Sequence, residues 1–92
     1  MYQIVYSLKY RKSIKKLNKS GSFKIEELNK VINIIAKGEK LLEKYQDHQL
    51  KGEFKEYREC HIKPDILLMY EIKNKELILI IINIGSHSQL FG

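Results

Sequence analysis

From Met1 to Tyr6, Tyr2, Ile4 and Tyr6 alternate with Gln3 and Val5, which predicts a short strand. Ser7 stands in an N-cap position, and from Leu8 the apolar residues Tyr10, Ile14 and Leu17 recur at helical spacing with Lys and Arg on the other faces. The run from Asn18 to Gly21 breaks that helix. A second is predicted with Ser22 as its N-cap, a stripe of Ile25, Leu28, Ile32 and Ile35, and Gly38 as a left-handed C-cap. This second helix has the firmer apolar face.

Glu39 to Lys51 shows weak periodicity and reads as a loop with a little strand, punctuated by Gly52. Phe54 to Ile62 is a predicted strand with Tyr57, Glu59 and His61 on one face and Arg58, Cys60 and Ile62 on the other. Pro64 ends it, because proline lacks the N–H a ladder needs and keeps Lys63 out of the helical region. Asp65 to Ile72 and Glu76 to Ile84 are predicted strands, joined at Lys73, Asn74 and Lys75 and therefore antiparallel neighbours. Leu77 to Ile82 is almost continuously apolar, as in a central strand covered on both faces. Two helices on one side cannot cover both. The pattern therefore predicts an α+β domain spanning residues 1–92, with apolar surface left for a partner. After Gly85 the chain reads as a polar tail ending in Leu90 and Phe91.

Composition narrows the class. The chain has 92 residues, one Cys, one Pro and no Trp. A lone Cys60 cannot form an internal disulfide, which favours a reducing compartment over a secreted, bridged scaffold. No apolar run approaches a membrane span or a signal sequence, so a soluble cytoplasmic protein without a membrane partner is expected. The net charge of +6 is unevenly placed: Lys9, Arg11, Lys12, Lys15, Lys16, Lys19 and Lys24 all precede the first acid, Glu26. A cationic element of this kind attracts polyanions by counterion release, nucleic acid above all. A lysine-rich solvated helix face has the same composition.

Candidate chemistry rests on three histidines: His48 in a loop, His61 near a strand end and His87 in the tail. His61 and Asp65 have an i, i+4 spacing, but Pro64 between them prevents a helix from presenting both to zinc, so no metal and no cofactor are expected. Pro64 favours a turn that brings the two together at one end of the sheet. Metal-free RNA cleavage needs a base for the 2′-hydroxyl, an acid for the departing 5′-oxygen, and cations for the phosphorane; His, Asp, Lys and Arg supply these. Cys60, in mid-strand, reads as a small core residue.

The segments Asp47-His48-Gln49-Leu50-Lys51-Gly52, Tyr57-Arg58-Glu59-Cys60-His61-Ile62-Lys63-Pro64-Asp65 and Gly85-Ser86-His87-Ser88-Gln89-Leu90-Phe91 resemble, over essentially the whole chain, the YafQ branch of the RelE/ParE toxin superfamily. That resemblance implies a RelE-like fold, a small antiparallel sheet of about four strands with two N-terminal helices on one face. It also implies a ribosome-dependent mRNA endonuclease, the toxin of a type II toxin–antitoxin pair. By the same resemblance His48, His61, Asp65 and His87 form the active site and Phe91 its rim, with His87 as general acid and Asp65 as general base. Ile66 departs from members that carry Trp there. Lys51, Tyr57 and Arg58 suit phosphate or base contacts, though Tyr57 suits the core equally, and Lys9, Arg11, Lys12, Lys15 and Lys16 suit ribosomal RNA. The expected partners are an antitoxin with an acidic toxin-binding segment, the ribosome and its mRNA, and operator DNA through the antitoxin. Two other readings remain at this point: a non-catalytic ParE-like inhibitor of DNA gyrase, and a binding module that acts only as a co-repressor.

Overall fold

The structure is a computed structural model describing residues 1–21 and 23–92. Its elements run β1 (Gln3–Tyr6), α1 (Leu8–Lys19), α2 (Ile25–Ala36), β2 (His48–Gln49), β3 (Arg58–Lys63), β4 (Ile66–Lys73), β5 (Ile78–Gly85) and α3 (His87–Phe91), with single 3-10 turns at Glu43–Tyr45 and Gly52–Phe54. The sheet has five strands in the order β1-β5-β4-β3-β2. It is mixed rather than wholly antiparallel: β1 lies parallel to β5, with Ile4 opposite Leu79. An N-terminal strand can dock this way because the rest of the chain serves as the crossover.

Ser7 caps α1 as expected, its Oγ accepting from Tyr10 N–H at 3.0 Å. Ser13 Oγ then donates to Asn83 Oδ1 at 2.7 Å, tying the helix to β5. The cap expected at Ser22 falls on a residue outside the described ones; α2 opens after Lys24, whose side chain makes no capping bond. Gly38 takes the predicted left-handed conformation at φ +76° and donates to the Ile35 carbonyl at 2.9 Å. The second helix is indeed the better anchored: Leu28, Val31, Ile32, Ile35 and Ala36 are buried on α2, but Tyr10 alone on α1.

Both helices cover the same sheet face. There Cys60, Ile62, Leu68, Tyr70, Leu79, Ile81 and Ile84 join Tyr10 and the α2 stripe in one core. Several boundaries differ from the sequence pattern: β5 begins at Ile78, not Glu76, with Leu77 in the preceding turn at φ +56°. The third strand starts at Arg58, not Phe54, because Gly52–Phe54 coils into a turn around Gly52 at φ +68°. Asp65 sits with Pro64 in the two-residue connection between β3 and β4 instead of in the strand. The tail is helical, as α3. On β5, Ile78, Ile80 and Ile82 alternate away from the core and are only half-buried, and Val5 beside them is 41% exposed. The second face thus keeps apolar surface at the β1–β5 edge, as the sequence pattern demanded.

Burial and hydrogen bonding raise the pKa of several core groups. Cys60 is pushed up to about 12 by burial and by the Asp47 carboxylate, and Tyr10 to about 12 by burial. Tyr45 is pushed up to about 12 chiefly by its hydrogen bond to Glu27, and Tyr70 is raised further, by burial and its bond to Asp47. In the unfolded chain these groups release protons from about pH 8.5 for Cys and about pH 10 for Tyr. The unfolded state therefore gains from deprotonation before the folded state does, so their stabilisation is complete below about pH 8.5 and is lost as pH rises toward the folded values. The urea midpoint is expected to hold between pH 7 and 8 and to fall by pH 10.5; a flat midpoint across that range contradicts it.

Candidate active site

Strand alternation does the first part of the assembly. Cys60 and Ile62 turn into the helix-covered core, so Glu59 and His61 turn to the other face, opposite Met69 and Leu67 of β4. The turn at Pro64 and Asp65 closes the same end of the sheet, and β5 delivers Gly85 opposite Leu67, from which α3 begins. The result is an open pocket of about 520 Å³ lined by Glu59, His61, Asp65, Leu67, Ser86 and His87. His61 is half-buried, whereas Asp65 and His87 are exposed. The Asp65 carboxyl and the imidazoles of His61 and His87 therefore share one cavity with solvent access.

His48 stands just outside that pocket. It pairs with Glu59 across the β2–β3 ladder, with Nε2 at 3.4 Å from Glu59 Oε1. Its Nδ1 lies 2.7 Å from the Gln46 carbonyl, and because a carbonyl only accepts, Nδ1 carries a proton. Glu59 is the residue that sequence reasoning missed. It is the buried charged side chain among the described residues, 6% exposed, and its Oε2 has no hydrogen-bond partner among them. Alternation with His61 had placed it on the right face; its burial could not be read from a strand pattern.

A five-residue helix positions His87. Ser86 Oγ accepts from Gln89 N–H at 3.3 Å and Gln89 Oε1 accepts from Ser86 N–H at 2.8 Å, a reciprocal capping box. Gly85 makes room for it: a Cβ there would stand 2.6 Å from Gln89 Oε1. Phe91 packs one turn on from His87, with ring centroids 4.9 Å apart, and meets Phe54 edge-on at 5.1 Å. Phe54 in turn neighbours the Tyr57 ring at 6.5 Å. Tyr57 thus belongs to an aromatic buttress beneath α3, and Phe54 is a second participant the sequence pattern did not mark.

The basic residues occupy several places. Arg58 is not brought to the pocket: it alternates to the opposite face, where it is paired with Asp47 at 2.8 Å and its charge is reinforced by that hydrogen bond. The α1 cations line two separate concavities. Lys9 and Lys16 line a groove with Asn83, Gly85 and Gln89 that runs to the base of α3, whereas Arg11, Lys12 and Lys15 surround exposed Leu8 on another face. Lys51 is exposed beyond β2. Among the described residues, no group of three or more His, Cys, Asp and Glu side chains is arranged to hold a metal ion.

Known proteins are similar to this chain in sequence and fold. A family model described as a bacterial toxin of type II toxin–antitoxin systems, YafQ, matches residues 2–92. The chain belongs to the YafQ toxin family. A metal-bound toxin from Helicobacter pylori is similar over 99% of this chain and 100% of its own, at 46% identity and a TM-score of 0.92. The toxin of the Escherichia coli DinJ-YafQ toxin–antitoxin complex covers 99% and 98% at 32% identity and a TM-score of 0.84. An Escherichia coli K12 protein named mRNA interferase toxin YafQ is 42% identical over 48 residues, 52% of this chain; the chain thus matches half the length of that curated relative. As in those YafQ structures, helices and a mixed sheet combine here in an α+β fold, with no helix among the described residues long and apolar enough to cross a membrane.

The capping box makes a testable claim about this YafQ-type site. Gln89→Ala removes one of its two bonds from an exposed, terminal helix, so the melting temperature should fall by little, about 1 kcal/mol of local stability being at stake. The ring of His87 should lose its fixed contact with Phe91. An unchanged nuclear Overhauser effect between the His87 and Phe91 rings in Gln89→Ala contradicts this account.

Proposed function

We propose that this chain is an mRNA interferase that cuts messages on the ribosome by metal-independent attack of a 2′-hydroxyl on the adjacent phosphate. The observation that carries the reading is the shared pocket of His61, Asp65 and His87 at an open sheet end, in a chain of the YafQ toxin family. Asp65 takes the 2′-hydroxyl proton as general base. His87, presented by a capped helix above the same cavity, protonates the leaving 5′-oxygen as general acid. His61 and His48 face the phosphate between them and stabilise the charge of the phosphorane.

The basic groove of Lys9 and Lys16 and the separate patch of Arg11, Lys12 and Lys15 bind ribosomal RNA, a role suited to exposed cations with no acid in the first 25 residues. The half-exposed Val5, Ile80 and Ile82 surface receives an antitoxin segment, which answers the net charge of +6 with acidic side chains. A toxin–antitoxin complex of a similar protein supports the existence of such a partner.

One experiment separates chemistry from docking. His87→Ala should cut a ribosome-bound message about 10²–10⁴-fold more slowly, with unchanged melting temperature and unchanged co-sedimentation with ribosomes. Reversing Lys9, Lys12 and Lys16 to Glu should instead weaken co-sedimentation and flatten its dependence on salt. Parental cutting by a folded His87→Ala chain overturns the assignment, and salt-dependent ribosome binding that survives charge reversal overturns the docking role.

A further inference from the structure

The strand that carries His48 is the least self-sufficient element of the site. It is two residues long, lies at the sheet edge, and pairs on one side only, through His48 with Glu59 and Gln49 with Arg58. Two cross-strand pairs cannot hold a register, and a slip of one residue would turn His48 to the other face. The register must be held from elsewhere.

It is held from the far side of the sheet. Asp47, immediately before His48, turns inward while His48 turns outward. Its Oδ2 accepts from Arg58 at 2.8 Å and its Oδ1 from the Tyr70 hydroxyl. Arg58 and Tyr70 are direct partners across β3 and β4, so a single carboxylate clamps the short strand to its neighbour β3 and, one strand further in, to β4. Gln49, two residues on and exposed, repeats the pattern by accepting from Arg58 at 3.3 Å and donating to the Tyr57 carbonyl at 3.0 Å. Further back, Tyr45 is buried and donates to Glu27 of α2. Burial and the Asp47 carboxylate both keep the Tyr70 hydroxyl protonated, and therefore a donor, through the ordinary pH range.

We propose that Asp47, clamped by Arg58 and Tyr70 on the helix-covered face, is a positioning residue that fixes the place of His48 beside Glu59 on the catalytic face. Arg58, which the sequence offers as an RNA contact, then acts on the message only through His48. The inference rests on the proposed cleavage for its kinetic consequence, whereas its structural consequence stands apart from that reading.

The test uses Asp47→Asn and Tyr70→Phe in the full chain, each alone and combined with His48→Ala. Tyr70→Phe removes one oxygen and keeps the ring in the core, so it carries the test if Asp47→Asn does not fold. Cleavage of ribosome-bound message should fall about tenfold with His48 present and less than twofold in the His48→Ala background, because a group that acts through His48 has nothing left to position. In parallel, the nuclear Overhauser effect between the His48 ring and the Glu59 side chain should weaken in both variants, while the His61 and His87 signals stay in place. Equal losses of rate in both backgrounds, or an undisturbed His48–Glu59 contact, overturn the latch. A wild-type chain that cuts no message overturns the proposed function instead, and the spectroscopic result still decides the latch.

Discussion

Everything at the site depends on the alternation of side chains along β3. Six residues, Arg58 to Lys63, must feed a core on one face and a reaction site on the other. Cys60 and Ile62 take the core side under α2, and this forces Glu59 and His61 onto the opposite face. Because the period of a strand is two, the division admits no compromise: a single-residue slip would bury an imidazole and a carboxylate under the helices and expose a thiol and an isoleucine. The cost of burying those polar groups unpaired, added to the lost apolar burial, opposes such a slip between Arg58 and His61, where the pairing with β4 is regular; the pairing shifts only between His61 and Lys63.

Around that fixed strand each chemical group is held by a different device. His61 is positioned by the ladder itself. Asp65 is placed by a two-residue turn whose proline ends the strand and whose carboxylate is left in solvent. His87 rides on a helix too short to be stable alone, held by a capping box and by the Phe91, Phe54 and Tyr57 rings. Glu59 sits at the junction of these parts, with one oxygen toward His48 and the other without a hydrogen-bond partner among the described residues, in the same pocket as the two histidines of β3 and α3. The site is thus assembled from side chains far apart in sequence, with the sheet as the common reference.

Much of this was legible in the residues. The cap at Ser7, the left-handed Gly38, the alternation of β3 and the apolar run of β5 are local signals, and each corresponds to an element found at or near its expected place. What was not legible depends on partners distant in sequence. The parallel docking of β1 on β5 joins residue 4 to residue 79, and no local pattern announces it. Arg58 suits an RNA contact by its chemistry, and the hydrogen bond that Asp47, eleven residues earlier, accepts from it cannot be read from the sequence. Helix α3 is a different kind of omission: five residues are too few for periodicity, yet Ser86 and Gln89 at N-cap and N3 spacing were the signal, and it was present in the sequence.

The central claim is that an acid and a base in one pocket drive attack by a 2′-hydroxyl, and the ends of the products report on that directly. Purified chain should be added to ribosomes carrying a defined message and both new termini identified chemically. The account predicts a 2′,3′-cyclic phosphate on the upstream fragment and a 5′-hydroxyl on the downstream one. A 3′-hydroxyl paired with a 5′-phosphate would mean that water or a metal-bound hydroxide attacked instead, and would contradict the account.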